Sequence, residues 1–314
     1  MIQAITNRRQ FLRAGCSALV TLALSGAAKP GDARGQTTAG TGASGPGEKP
    51  RTQAPPNMTD CHYHVIDPRY PATRQVKPAL LSDYRKLQAR LGIKRSVVVQ
   101  PSFYRTDNRC VLEVIAESGG SARGIVDVHE NVTDAELRDL DAKGARGIRF
   151  NVRQGDAQAM NRIENMSRRV DELGWHVQMN INPDQTAAAK DLFNRLRSPI
   201  VFDHMGHLTS TGLDHPARAV IEGLLQKGRT WVKLSGFYLG SKVGLPTLAD
   251  AGAVARFFLK AAPERLVWGS DWPHVTATVE QDDAQLFDLF GEWVPDEALR
   301  TRILVDNPAR LYRF

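Results

Sequence analysis

Two histidines lie two residues apart in the run Thr59-Asp60-Cys61-His62-Tyr63-His64-Val65. Side chains alternate along a strand, so His62 and His64 share a face, as a metal pair or a catalytic pair would. A carboxylate, Asp271, ends the run Val267-Trp268-Gly269-Ser270-Asp271 on the phase of Val267 and Gly269. A charge at the end of an apolar strand is costly unless it is paired or used. The run Ile200-Val201-Phe202-Asp203-His204 ends on an acid and a histidine, and one of the two must point inward.

Cations mark the ligand. Arg149, Asn151 and Arg153 share one phase of a strand whose other phase is Ile148, Phe150 and Val152. His176, Gln178 and Asn180 repeat the pattern, as do Lys233 and Ser235. An interior lined this way suits a carboxylate or sulfonate, which an arginine grips with two parallel hydrogen bonds. The plainer alternative is that Arg149 pairs with an internal acid and is structural.

Something must bring these residues together. Strand-like runs fall at 59–65, 95–100, 123–128, 145–152, 175–181, 199–204, 230–235 and 265–271. Helical periodicity lies between them, at Ser82–Leu91, Thr133–Ala142, Met160–Leu173, Gln185–Leu196, Ala217–Gln226 and Ala249–Ala261. Gly92, Gly144, Gly174 and Gly228 each stand where a helix must stop before the next strand, the C-cap position that tolerates left-handed backbone. Strand alternating with helix implies parallel pairing through right-handed crossovers. Eight units in one domain imply an α/β fold, a single (β/α)8 TIM barrel spanning 58–314. Polar residues late in a strand then converge on the barrel mouth.

The motifs, in chain order, are His62-Tyr63-His64, Arg146-Gly147-Ile148-Arg149-Phe150-Asn151, Asp203-His204-Met205-Gly206, Lys233-Leu234-Ser235-Gly236, Trp268-Gly269-Ser270-Asp271-Trp272-Pro273-His274 and Asn307-Pro308-Ala309-Arg310-Leu311-Tyr312. Together they resemble the amidohydrolase superfamily, and within it the lactonase group typified by 2-pyrone-4,6-dicarboxylate lactonase. Pro101-Ser102-Phe103-Tyr104, followed by Thr106-Asp107-Asn108, is similar to that group's loop after the second strand. The resemblance implies hydrolysis of a cyclic ester in a small anionic lactone. It selects His204 as the inward residue of its strand. It makes Asp271 the base that activates water, with His62, His64 and His204 either polarising the carbonyl or holding a divalent metal, zinc or manganese, together with Asp271. Ser102, Tyr104 and Arg149 become substrate contacts, to which the inward strand phase adds Asn151 and Asn180 as candidates. Both metal-dependent and metal-independent enzymes occur in the superfamily, so cofactor use stays open.

Two departures bear on the substrate. The dicarboxylate lactonases have a tyrosine where this chain has Asn180, and an arginine where it has Phe237-Tyr238-Leu239. That argues against the pyrone dicarboxylate itself and toward a sulfomuconolactone, a muconolactone-type compound or a sugar-acid lactone. His207 and His274 receive no role, His129 is placed near the site, and His215 on the surface. A metal-dependent decarboxylase is the alternative within the superfamily, and a non-catalytic periplasmic organic-acid binder the alternative outside it.

The chain has 314 residues and a net charge of +7, which invites thoughts of nucleic acid. Residues 1–56 hold seven Lys/Arg against two acids, so the remaining 258 residues carry only +2 and give no reason to expect nucleic acid. Asn7-Arg8-Arg9-Gln10-Phe11-Leu12-Arg13, then an apolar stretch from Ala14 to Ala28, reads as a twin-arginine-type export signal over 1–36 and implies the periplasm. Residues 37–57 read as a flexible linker. No apolar run reaches the ~18 residues of a membrane span. Three cysteines are too few for a disulfide scaffold, and Cys61 reads as a buried thiol, with a Cys61–Cys110 disulfide left open. A homodimer would leave no signature in such a sequence.

Overall fold

The computed structural model describes residues 47–154 and 159–314; the expected export signal and the first part of the linker lie outside the described residues. Eight strands form one sheet in sequence order: β1 (Thr59–Tyr63), β2 (Arg95–Val99), β3 (Ala122–Val126), β4 (Ala145–Phe150), β5 (His176–Met179), β6 (Ile200–Phe202), β7 (Thr230–Leu234) and β8 (Leu266–Trp268). All the pairings are parallel. The helices are α1 (Leu81–Leu91), α2 (Arg109–Glu117), α3 (Asp134–Ala142), α4 (Ala159–Asp171), α5 (Pro183–Ala188), α6 (Lys190–Arg195), α7 (Leu208–Thr211), α8 (Pro216–Gln226), α9 (Ala249–Ala261), α10 (Asp283–Trp293), α11 (Glu297–Thr301) and α12 (Asn307–Tyr312). This is the (β/α)8 arrangement that the alternation predicts. Gly92, Gly144, Gly174 and Gly228 all take positive φ, as their C-cap positions require. The helix expected over Gln185–Leu196 is two short ones, α5 and α6, meeting at Ala189, where the backbone leaves helical geometry (φ −89, ψ 8).

The barrel closes between β8 and β1 through a few bonds rather than a full ladder. The Asp271 N–H donates to the His62 carbonyl (2.8 Å), and the His64 N–H to the Trp272 carbonyl (2.8 Å). Below them the buried Asp60 carboxylate accepts from the Ser270 N–H (2.9 Å), the Ser270 hydroxyl (2.6 Å) and the Tyr84 hydroxyl (3.0 Å). Burial raises Asp60 to about 6 despite those bonds. Gly269 is required here: a Cβ would lie 2.6 Å from His62 Cβ and 2.8 Å from its backbone nitrogen.

The barrel interior is stratified. Its lower part is apolar, with Cys61, Val97, Val99, Ile125, Val201, Trp231 and Val267 packed together and closed beneath by Leu311 and Tyr312 of α12. The next inward positions are Lys233 after Trp231, Asp203 after Val201, and Gly269 then Asp271 after Val267. Period-two alternation therefore puts polar residues at the upper end. Cys61 and Cys110 are buried free thiols. Contacts of the barrel reach back into 47–57, where the Thr52 N–H donates to Asp288 (2.7 Å) and Arg51 pairs with Asp288 and Glu292. Among the described residues no helix is long and apolar enough to cross a membrane.

Candidate active site

The floor of the site is a buried charge cluster. Asp203 accepts from Arg149 Nε (3.1 Å) and Gln178 Nε2 (3.2 Å), and lies 3.1 Å from Arg149 Nη2. Its other oxygen faces His62 Nδ1 (3.2 Å) and Lys233 Nζ (3.6 Å). Burial alone would raise this carboxyl, but His62, Arg149 and Lys233 outweigh it and hold the group well below the usual carboxylate range. Lys233 donates to Gln178 Oε1 (2.7 Å), and burial pushes it down to about 8.

Asp203 is thus an inward residue, and His204 is one too. The alternation forces a choice between them only if the strand continues. Here β6 ends at Phe202, Asp203 is extended, and His204 turns at φ 49 into the left-handed region. That turn lets two successive side chains enter the barrel.

Above the floor, His62, His64, His204 and Asp271 converge, all of them buried. His62 and His64 ring centroids are 5.1 Å apart, and those of His62 and His204 4.7 Å. Asp271 Oδ1 stands 3.7 Å from His62 Nε2 and 3.9 Å from His204 Nε2. These gaps are too long for direct hydrogen bonds and the right size to bracket one oxygen atom. The other carboxylate oxygen accepts from the Tyr238 hydroxyl (2.7 Å). Burial raises Asp271 to about 6, against the opposing pull of His274 and Tyr238. That suits a base working near neutral pH.

The imidazoles are neutral. Burial lowers His62 to about 3, and burial together with His62 puts His64 and His204 well below the ordinary 6.5. Each ring is oriented from behind. His64 Nδ1 lies 2.8 Å from the Val99 carbonyl, which can only accept, so its Nε2 is a bare lone pair. His204 Nδ1 meets the Ser235 hydroxyl (3.0 Å). His62 Nδ1 faces both the Asp203 carboxylate and the Lys233 ammonium, the latter at 3.3 Å. With its hydrogen toward Asp203, His62 presents a bare Nε2; accepting from Lys233, it presents Nε2–H.

His62 Nε2 is buried with no hydrogen-bond partner of its own, and donor atoms of His62, His64 and Asp271 lie within 4.8 Å of one another. With His204 beside them this set fits a divalent cation such as zinc or manganese, and such an ion would supply Lewis-acid polarisation of a carbonyl or of water.

The cleft above these groups opens at the barrel mouth. Ser102, Arg149, Asn151 and Asn180 line it, as the sequence reading expects. Arg74, Arg153 and His207 line it as well, so the wall carries three arginines against a single carboxylate. His207 Nε2 donates to the Asn180 side-chain carbonyl (2.7 Å), and the Asn180 amide donates to Asn151 (2.9 Å), which ties the polar wall together. Gly236, at φ 57, brings the chain after β7 directly onto the site: a Cβ there would sit 2.7 Å from His204 Nδ1 and 3.2 Å from Asp271 Oδ2.

Tyr104 departs from its expected place. Its hydroxyl donates to the Asp67 carbonyl (2.8 Å) and accepts from the Asp67 N–H (2.9 Å), so it fastens the loop after β1 instead of facing the cleft. Phe103 takes the wall position. His129 meets Thr106 (2.7 Å) in a neighbouring groove, and His215 caps α8 and pairs with Asp184. The sequence reading leaves Asp203, Tyr238, His274 and Asp283 without roles. For Asp203 the alternation itself carries the signal.

A family model described as amidohydrolase matches residues 59–314. A 4-sulfomuconolactone hydrolase of Rhizobium radiobacter is 35% identical over 274 residues, covering 82% of this chain and 90% of that protein. A D-galactarolactone isomerase of Agrobacterium fabrum is 32% identical over 277 residues, covering 85% and 94%. A ligand-free crystal structure of an Agrobacterium tumefaciens protein superimposes with a TM-score of 0.77 at 31% identity, covering 84% of this chain and 98% of that one.

Proposed function

Because the chain belongs to the amidohydrolase family, we propose that it is a hydrolase opening the cyclic ester of a small lactone that bears a carboxylate or sulfonate. The observation that carries this reading is a buried, raised carboxylate, Asp271, at the foot of a cleft walled by arginines. Two of the relatives are named for a lactone, which supports the ring as substrate.

In this account Arg149, whose Nε and Nη2 are held by Asp203 as the plainer sequence alternative expects, meets the anionic group with the remaining edge of its guanidinium, and Arg74 and Arg153 add positive potential toward the mouth. Water stands against Asp271 Oδ1, which removes its proton as the oxygen bonds to the lactone carbonyl carbon. His62 and His204, each presenting Nε2–H, stabilise the charge that develops on the carbonyl oxygen. The tetrahedral centre then collapses, the ring C–O bond breaks, and the departing oxygen takes the proton back from Asp271. The product is an open-chain hydroxy acid or its keto tautomer. We further infer periplasmic export from the twin-arginine-type leader, a reading that rests on sequence alone.

The test is a panel of carboxylated and sulfonated lactones under a pH-stat. One acid group released per turnover, with the ring-opened product identified by mass, is the expected result. A rearranged lactone without acid release would replace hydrolysis with isomerisation, and carbon dioxide release would replace it with decarboxylation.

A further inference from the structure

Behind Asp271, on the side away from the histidines, a chain of polar groups runs through three segments of the fold. Tyr238, from the loop after β7, donates its hydroxyl hydrogen to Asp271 Oδ2 (2.7 Å). His274, three residues after Asp271, places Nδ1 3.3 Å from the Tyr238 oxygen and Nε2 3.1 Å from Asp283 Oδ1. The Tyr238 and His274 rings meet edge to face at 5.4 Å. Asp283 is the first residue of α10, buried, and that helix start is fixed by Asp282. Asp282 accepts from the Ala284 N–H (2.8 Å) and pairs with Arg90 of α1 (2.8 Å).

A phenol has one hydrogen, and Asp271 takes it. The Tyr238 oxygen can therefore only accept from His274, and the Asp283 carboxylate can only accept from the ring's far side. The donations run outward from His274, which carries a hydrogen on both ring nitrogens: to Asp283 on one side, and through Tyr238 to Asp271 on the other. Gly236 allows this close approach, since any larger residue would collide with His204 and crowd Asp271. None of Tyr238, His274 and Asp283 lies among the groups that bracket the reacting oxygen.

We infer that Tyr238 is a positioning residue for the catalytic base, and that His274 and Asp283 act on catalysis through it. The Tyr238 bond occupies Oδ2 and so commits Oδ1, the oxygen between His62 and His204, to water. This deepens the lactonase reading and rests on Asp271 being its base.

The test is a double-variant cycle on the purified full chain with a lactone that the panel shows to be turned over. Tyr238→Phe removes one hydroxyl from an otherwise unchanged ring. It should lower kcat roughly 10- to 100-fold, the effect of one lost hydrogen bond to a charged group, with KM within about twofold. His274→Gln should also lower kcat in the wild-type background. In the Tyr238→Phe background it should add less than about twofold, because its route to Asp271 is already cut. Full additivity of the two losses, or an unchanged kcat in Tyr238→Phe, overturns the inference. If His274→Gln fails to fold, Asp283→Asn replaces it in the same cycle with the same two outcomes. Asp271→Asn is run alongside. Activity surviving in that variant would overturn the base assignment, whereas its loss together with an unaffected Tyr238→Phe would overturn this inference alone.

Discussion

Replacing Asp203 by asparagine removes one negative charge and almost no volume from the floor of the barrel. The side chain is fully buried and stands between two cations, with Arg149 at 3.1 Å and Lys233 at 3.6 Å. Asparagine still accepts one hydrogen bond, but it leaves two buried cations with no counter-charge. Breaking a buried pair by removing one partner costs about 3–5 kcal/mol. A domain of this size loses roughly 2–4 °C of Tm per kcal/mol, so thermal unfolding should move down by about 6–20 °C. The Asp203 carboxyl is held well below its ordinary value, so its contribution is complete above the ordinary carboxylate range and disappears only as pH falls through the lowered folded value. The difference is therefore fully present at pH 7. The assay is Tm by circular dichroism at pH 7, with Asp203→Asn/Lys233→Met beside the single variant. The double variant should recover part of the loss, since it removes one stranded cation. A shift under about 2 °C for the single variant, or no recovery in the double, would refute the charge-cluster account of the floor.

Further outcomes follow from the same geometry. The Asp271 carboxyl is raised to about 6, so kcat/KM for a turned-over lactone should climb as pH rises through about 6 and level off above it. A flat profile from pH 5 to 8 would contradict this. Stability should fall between pH 7 and pH 5. His62, His176 and His207 are buried at about 3, 3 and 4, so the unfolded chain takes up protons first, and what they contribute is complete above 6.5 and lost below it. Asp60, Asp271 and His274, all raised, work in the opposite direction, but the five lowered histidines, His64 and His204 included, outnumber them. A Tm at pH 5 equal to or above that at pH 7 would count against the buried neutral imidazoles. Tyr104→Phe should lower stability by about 1–3 kcal/mol in urea melts, since it strands the buried backbone groups of Asp67, and should leave KM within about twofold. A large KM change with unaltered stability would return Tyr104 to the cleft.

Much of this was legible in the sequence because parallel barrels repeat a simple rule. Alternation in Arg149-Phe150-Asn151 and His62-Tyr63-His64 identifies residues that reach the interior, and glycines at helix ends mark the strand starts. The rule weakens where strands end. His204 and Asp271 both take positive φ, which no pattern of apolar residues announces, and the turn at His204 brings in both members of a pair that alternation sets against each other. Tyr104 shows the opposite failure: a motif places the residue correctly in the chain, while the direction of its hydroxyl depends on a loop 37 residues away. The Tyr238-His274-Asp283 chain joins two loops and the start of α10, which are adjacent only once the barrel has closed.

The most direct measurement is the hydrolysis rate of Asp271→Asn on an anionic lactone that the wild type opens, taken with its Tm and its affinity for the same lactone. The account predicts kcat lower by about 100-fold or more, lactone affinity close to wild type, and a Tm no lower, because an amide replaces a carboxylate that burial disfavours. Hydrolysis at the wild-type rate by a folded Asp271→Asn protein would contradict it.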